Sequence, residues 1–124
     1  MKIYIAHSRE FDFRKELYEP IRKSELNELA EIILPHEESE ELFKSKEELK
    51  TVDYMVAEVS YPSTGVGIEL GWANLYGTKI IALHKSGTKV SSAIKAVTDT
   101  LIEYSDSSDL IAKIMVFCKI SKTI

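Results

Sequence analysis

Short, nearly unbroken apolar runs alternate along this chain with longer amphipathic ones, and that alternation limits the fold more than any other feature. The apolar runs fall at residues 2–6, 31–34, 53–59, 79–83 and 100–104. The first, third and fourth are almost continuous in Ile, Val, Met, Leu and Ala, the composition of strands covered by helices on both faces. Helices are predicted between them. The first spans 12–29, with Phe13, Leu17 and Ile21 on one face and a kink or break at Pro20, which lacks a backbone donor. A short second helix is predicted at 46–52. A third starts at Ser63 or Thr64 and stops at Gly77, a fourth covers 91–97, and the last covers 109–120 with Leu110, Ile114 and Phe117 inward.

Strands alternating with helices favour a parallel sheet with right-handed crossovers. The expected class is α/β: a three-layer, flavodoxin-like (doubly wound) five-stranded parallel sheet with helices on both faces. By precedent its strand order is 2-1-3-4-5. The 124 residues fit a single domain and can bury an adequate core unaided.

One cysteine, Cys118, excludes an internal disulfide framework and a multi-cysteine zinc site, and is expected to be a small core residue. His7, His36 and His84 have no short-range ligand spacing, so no metal is expected. A net charge of −4 argues against a nucleic-acid backbone as partner but still permits a small anionic metabolite. With no targeting signal and no long apolar run, the expectation is a cytoplasmic protein with no membrane partner. The acidic stretch at 36–42 reads as an exposed loop.

In an open parallel sheet, ligands bind beyond the carboxyl ends of the strands where the strand order reverses. Here that crevice lies between the first and third strands. Residues His7, Ser8 and Arg9 empty into it from one side and the loop 60–65 from the other. Residues 60–71 read SYPSTGVGIELG. Ser63 is a good helix N-cap behind a stiffening Pro62. Gly65 and Gly67 in the first turn each cost about 1 kcal/mol of helix stability relative to Ala. Close approach of an anionic ligand to the backbone at the helix N-terminus would offset that cost.

Glu69 follows Gly65 by four residues, on the same face. Side chains lean toward the helix N-terminus, so its carboxylate can reach over the glycine into the crevice, or simply complement the helix dipole. Trp72 and Tyr76 continue this stripe, as core or as a subunit contact, beside the apolar stripe Val66, Leu70 and Ala73. The glycine pattern is neither a P-loop nor a dinucleotide fingerprint.

Residues 53–73 resemble the nucleoside 2-deoxyribosyltransferase family, including its 2'-deoxynucleoside 5'-phosphate N-hydrolase branch. The shared pattern is an aspartate opening a strand (Asp53), then Ala57-Glu58-Val59, then Pro-Ser-x-Gly-x-Gly-x-Glu-Leu-Gly ending at Gly71. The opening Lys-Ile-Tyr-Ile-Ala6-His7-Ser8 is similar to the family's first strand and ligand loop, and the resemblance extends to about residue 104.

The resemblance implies cleavage of the N-glycosidic bond of a deoxynucleoside or its 5'-phosphate, by hydrolysis or base transfer. Glu69 would attack the anomeric carbon and form a glycosyl-enzyme, by the double-displacement logic of retaining glycosidases. It also implies that Ser63 and Gly65 hold the 5'-phosphate, that Ala6, His7, Ser8 and Arg9 form the first ligand loop, and that Ser92 completes the site from a neighbouring subunit. The assembly would then be a homodimer or larger, and no cofactor is implied.

Two positions depart from the family pattern. His7 replaces a glycine, and the loop continues as Arg9-Glu-Phe-Asp-Phe13. Ser45 stands where the family has the aspartate that helps protonate the leaving base. Ser45 and Glu48 have capping-box spacing, which accounts for the serine structurally, but its hydroxyl cannot replace a carboxylic acid in proton transfer. His7, His36, Glu37 and Glu47 are candidate replacements. His36 could also contact a base, whereas His84 reads as a packing histidine. Asp53 and Glu58, at strand ends, match family positions and could equally bond backbone amides. An alternative reading is a nucleotide-binding module that has lost turnover.

Overall fold

The structure, a computed structural model, describes residues 1–38 and 45–121. Five strands form one parallel sheet: β1 (Lys2–His7), β2 (Glu31–Ile33), β3 (Tyr54–Glu58), β4 (Lys79–Lys85) and β5 (Leu101–Tyr104). Their order is β2-β1-β3-β4-β5, as expected. The order reverses between β1 and β3, whose register pairs Ile5 with Val56 and His7 with Glu58.

Alternation along the strands divides the core into two layers. Ile3, Ile5, Val56, Ile81 and Leu83 face α1 (Glu19–Arg22), α2 (Leu26–Leu29) and α4 (Ser107–Phe117), packing against Ile21, Leu26, Leu110 and Ile114. Tyr4, Ala6, Met55, Ala57 and Ala82 face α3 (Thr64–Leu75) and its Val66, Leu70 and Ala73. Cys118 is fully buried in the first layer, where burial pushes its thiol up to about 12. No helix among the described residues is long and apolar enough to cross a membrane.

Helix α3 matches its sequence signals closely. The Ser63 hydroxyl accepts from the Val66 amide at 3.2 Å, and Gly77 ends the helix at φ +73°, a conformation glycine adopts without penalty. The other helices are shorter than expected. In place of one helix over 12–29, a wide π-type turn (Arg14–Tyr18) runs into α1, and the Glu19 amide reaches back to Arg14. Pro20 falls in the first turn of α1, where its missing donor is tolerated. The break comes later, where the Ser24 hydroxyl donates to the Ile21 carbonyl at 2.7 Å and offers the backbone an alternative to the helix.

The segments at 46–52 and 91–97 are single 3-10 turns, Glu48–Lys50 and Ser92–Ala96. The first buries only Leu49 within its turn and the second buries no residue, so little packing offsets the cost of nucleating a helix. Helix α4 starts two residues early because Asp106 caps it, accepting from the Asp109 amide at 2.8 Å. The acidic stretch at 36–42 lies outside the described residues beyond Glu38.

Candidate active site

The carboxyl ends of β1, β2 and β3 and the first two turns of α3 enclose a cleft of about 910 Å³. Tyr4, His7, Ser8 and Arg9 line it from the first strand and its loop, and Ser63, Gly65, Glu69 and Trp72 from α3 and its cap. His36, Ser45 and Glu47 also face it. The fold therefore gathers most of the sequence-proposed site in one place. Ala6 lies outside the lining, fully buried in the layer beneath α3. Ser92 also lies outside it, exposed in the turn between β4 and β5.

Glu69 is half-buried, and its carboxylate meets two hydroxyls. Tyr4 donates to Oε2 at 2.5 Å, and Ser45 is a second hydrogen-bond partner. Burial raises the Glu69 pKa above the ordinary carboxylate range, while the Tyr4 and Ser45 hydrogen bonds act in the opposite direction. Burial and the Glu69 charge raise the Tyr4 phenol far above its usual value, so it stays protonated as a donor. Glu69 has no cationic partner among the described residues.

Ser45 does not cap the following turn. Its side chain turns toward Tyr4 and Glu69, and the turn at Glu48–Lys50 has no side-chain cap. The capping-box reading is thus corrected: contact with the carboxylate holds this hydroxyl instead.

The end of β1 is built around His7, which is 6% exposed. Nδ1 donates to the Ser8 carbonyl at 2.8 Å, which leaves Nε2 to accept from the Tyr18 hydroxyl at 2.6 Å. Tyr18 also accepts the His36 amide at 2.9 Å, tying the β1 loop to the β2 loop. Burial holds the His7 pKa down at about 4, so at neutral pH it has no proton to give beyond the one already bonded to Ser8.

The other acid candidates differ. Arg22 binds Glu37 through two hydrogen bonds, at 2.7 and 2.8 Å, and holds its carboxyl below the usual range. Glu47 is exposed at the cleft rim, 3.2 Å from Lys50. His36 lines the cleft with Arg9 donating to its Nδ1 at 3.0 Å. Asp53 accepts the Lys2 amide at 2.8 Å at the far end of the sheet, a structural role. His84 pairs with Thr88 at 3.0 Å outside the cleft.

Gly65 and Gly67 have no demand placed on them by the protein. A Cβ at Gly65 would meet only the Ser63 hydroxyl, at 3.9 Å, and one at Gly67 would meet nothing within 4 Å. Neither has a positive φ. Trp72 is half-buried, packing against the α3 layer while also lining the cleft. Beside it Ile68 and Leu75 are 48% and 79% exposed, an apolar strip that spacing alone did not reveal. The Tyr4–Glu69 contact was also missed in the sequence. Its available signal was that Tyr4 alternates with Ile3 and Ile5 and so shares the α3 face.

No family model matches the chain. Two curated relatives do, both named "Putative 2'-deoxynucleoside 5'-phosphate N-hydrolase 1". The one from Thermofilum pendens is 41% identical over 71 residues, covering 53% of this chain and 50% of the relative. The one from Methanosarcina mazei is 40% identical over 55 residues, covering 44% and 34%. The chain thus matches half or less of the length of these relatives.

Among solved structures, the fold is similar to a CMP N-glycosidase from Clostridium botulinum, with TM-score 0.69 at 21% identity, covering 94% of this chain and 99% of the other. It is also similar to a conserved protein from Enterococcus faecalis, with TM-score 0.63 at 20% identity and coverage of 94% and 98%. The resemblance first read from the Pro62 to Gly71 motif therefore stands: by sequence the chain is a relative of proteins named as deoxynucleoside 5'-phosphate N-hydrolases, and its flavodoxin-like fold is shared with an N-glycosidase.

Proposed function

We propose that this chain cleaves the N-glycosidic bond of a deoxynucleoside 5'-phosphate with Glu69 as nucleophile. The observation that carries the reading is the Glu69 carboxylate itself, which lines the cleft and is held by hydroxyl donors with no cationic partner among the described residues. The 5'-phosphate sits over Gly65, between Ser63 and the first-turn amides of α3. With the Val66 amide capped by Ser63, the Thr64 and Gly65 amides are the first-turn donors left for an anion, and the helix dipole adds a favourable field for it. The bare backbone at Gly65 supports this placement, since no neighbour among the described residues needs a glycine there.

In the first step a Glu69 oxygen forms an ester bond to C1' as the C1'–N bond breaks. The electron pair leaves with the base, which gains a proton from solvent or from an acid at the rim. Water then attacks C1', the ester bond to Glu69 breaks to restore the carboxylate, the water's spare proton passes to solvent, and deoxyribose 5-phosphate is freed; a second base in place of water gives transfer. Desolvation makes Glu69 a stronger nucleophile once ionised, while Tyr4 keeps it ionised and aimed.

The exposed Ile68 and Leu75, on either side of the half-buried Trp72, support a homodimer whose partner brings Ser92 toward the phosphate. Incubating the protein with each deoxynucleoside monophosphate and separating the products by chromatography tests the reading. Free base and deoxyribose 5-phosphate are expected, and no base from any of them would overturn it.

One observation favours a second reading. Ser45 places a hydroxyl where the family pattern has an acid, as in a nucleotide-binding module that no longer turns over. Tight nucleotide binding in calorimetry without base release distinguishes it.

A further inference from the structure

The loop joining β3 to α3 carries the proposed phosphate contacts, yet its anchor lies on the opposite side of the sheet. Glu58, the last residue of β3, is 2% exposed. Alternation along β3 puts its side chain with Tyr54 and Val56, in the layer covered by α1 and α4. It does not line the cleft. A carboxylate in such a place is costly unless several donors meet it.

Three donors do. The Ser60 amide donates to Oε1 at 2.7 Å and the Ser60 hydroxyl to Oε2 at 2.9 Å. The Tyr104 hydroxyl, at the end of β5, donates to the same Oε2. The Ser60 oxygen in turn accepts the Lys85 amide at 2.8 Å, from the end of β4. Next along the chain, Tyr61 stacks on Phe11 with ring centroids 5.1 Å apart and accepts from the Lys85 ammonium at 3.0 Å. Ser60 and Tyr61 are thus fastened from behind the sheet. Pro62, Ser63, Thr64 and Gly65 face the cleft. Pro62 fixes its own φ, so little slack separates the anchor from the helix cap.

We propose that Glu58, held by Tyr104, is a positioning residue that acts through Ser60 to set where Ser63 and the first amides of α3 meet the 5'-phosphate. This rests on the proposed function. Glu69 lies one turn farther along α3 and is held separately by Tyr4 and Ser45. Loosening the anchor therefore weakens the grip on phosphate and spares the chemical step.

The test compares Tyr104→Phe, Ser60→Ala and Glu58→Gln with the wild type. It reads kcat and KM for base release from a deoxynucleoside 5'-monophosphate, inhibition by inorganic phosphate, and the thermal midpoint. The net contribution of one ordinary hydrogen bond sets the expected scale for an effect passed on through Ser60: KM and the inhibition constant for phosphate rise together by about five- to tenfold, with kcat within about twofold. Unchanged KM and phosphate inhibition, or a fall in kcat as large as the rise in KM, overturns the proposal. Should Glu58→Gln fail to fold, Tyr104→Phe decides, because it removes a hydroxyl and keeps the ring. If the wild type releases no base, the functional reading fails and takes this inference with it. If the wild type turns over and Tyr104→Phe matches it in KM and phosphate inhibition, only the inference fails.

Discussion

The Tyr4 hydroxyl donates to Glu69 Oε2 at 2.5 Å, joining the middle of the first strand to the second turn of α3 across the floor of the cleft. This bond opposes the desolvation that raises the Glu69 pKa. Removing it in Tyr4→Phe leaves desolvation less opposed, so the pKa rises further and the carboxylate is lost at higher pH. The acid limb of the kcat/KM profile is expected to move to higher pH, with a rate loss of roughly tenfold at neutrality. An unshifted limb would show that Tyr4 does not tune the nucleophile.

Ser45 acts on the same carboxylate. Ser45→Asp sets two carboxyl groups together, and like charges in one site raise the pKa of one of them. The protonated member can then supply the leaving base with its proton. Faster base release in that variant is expected, on the order of tenfold or more, read from initial rates. A slower enzyme would mean that the serine hydroxyl matters more than the missing acid.

Gly65 separates ligand from scaffold. Its missing Cβ leaves open space, so Gly65→Ala is expected to stabilise the fold by up to about 1 kcal/mol through helix propensity. The methyl group would project toward the bound phosphate, so KM for the nucleotide should rise in the same variant. Denaturant unfolding and steady-state kinetics check the two halves. A stabilised variant with unchanged KM would place the phosphate elsewhere.

His7 gives the fold a pH dependence. Its pKa falls from the ordinary 6.5 to about 4 on folding, so between these values the unfolded chain binds the extra proton. Stability is then complete above pH 6.5 and is lost as pH falls toward 4, by about 2 kcal/mol at pH 5. Urea unfolding at pH 7 and pH 5 should show this loss in the wild type and a smaller one in His7→Gln. Equal losses would place the titrating group elsewhere.

The sheet was legible because strand runs are local and nearly pure in composition. The α3 boundaries at Ser63 and Gly77 followed from capping chemistry, whereas the order β2-β1-β3-β4-β5 followed from the precedent of doubly wound sheets and not from these residues. The cleft could be placed by topology alone. What the sequence hid were contacts set by packing between distant segments. Tyr4 and Glu69 are 65 residues apart, and Tyr104 and Glu58 are 46 apart. Tyr4 sits in an apolar strand, where an aromatic ring reads as core until the helix above it is in place. Ser45 misled for a related reason: its spacing to Glu48 promised a cap, but its side chain is turned toward the half-buried Glu69 carboxylate, which accepts its hydrogen bond, and so points away from the turn it would cap.

The central claim is that the Glu69 carboxylate attacks C1', and Glu69→Gln tests it most directly because the amide keeps the shape and loses the nucleophile. Base release from a deoxynucleoside 5'-monophosphate should fall by about a thousandfold or more, with the thermal midpoint and nucleotide affinity close to wild type. Turnover of Glu69→Gln within about tenfold of the wild type would contradict the account, since losing an essential nucleophile costs far more.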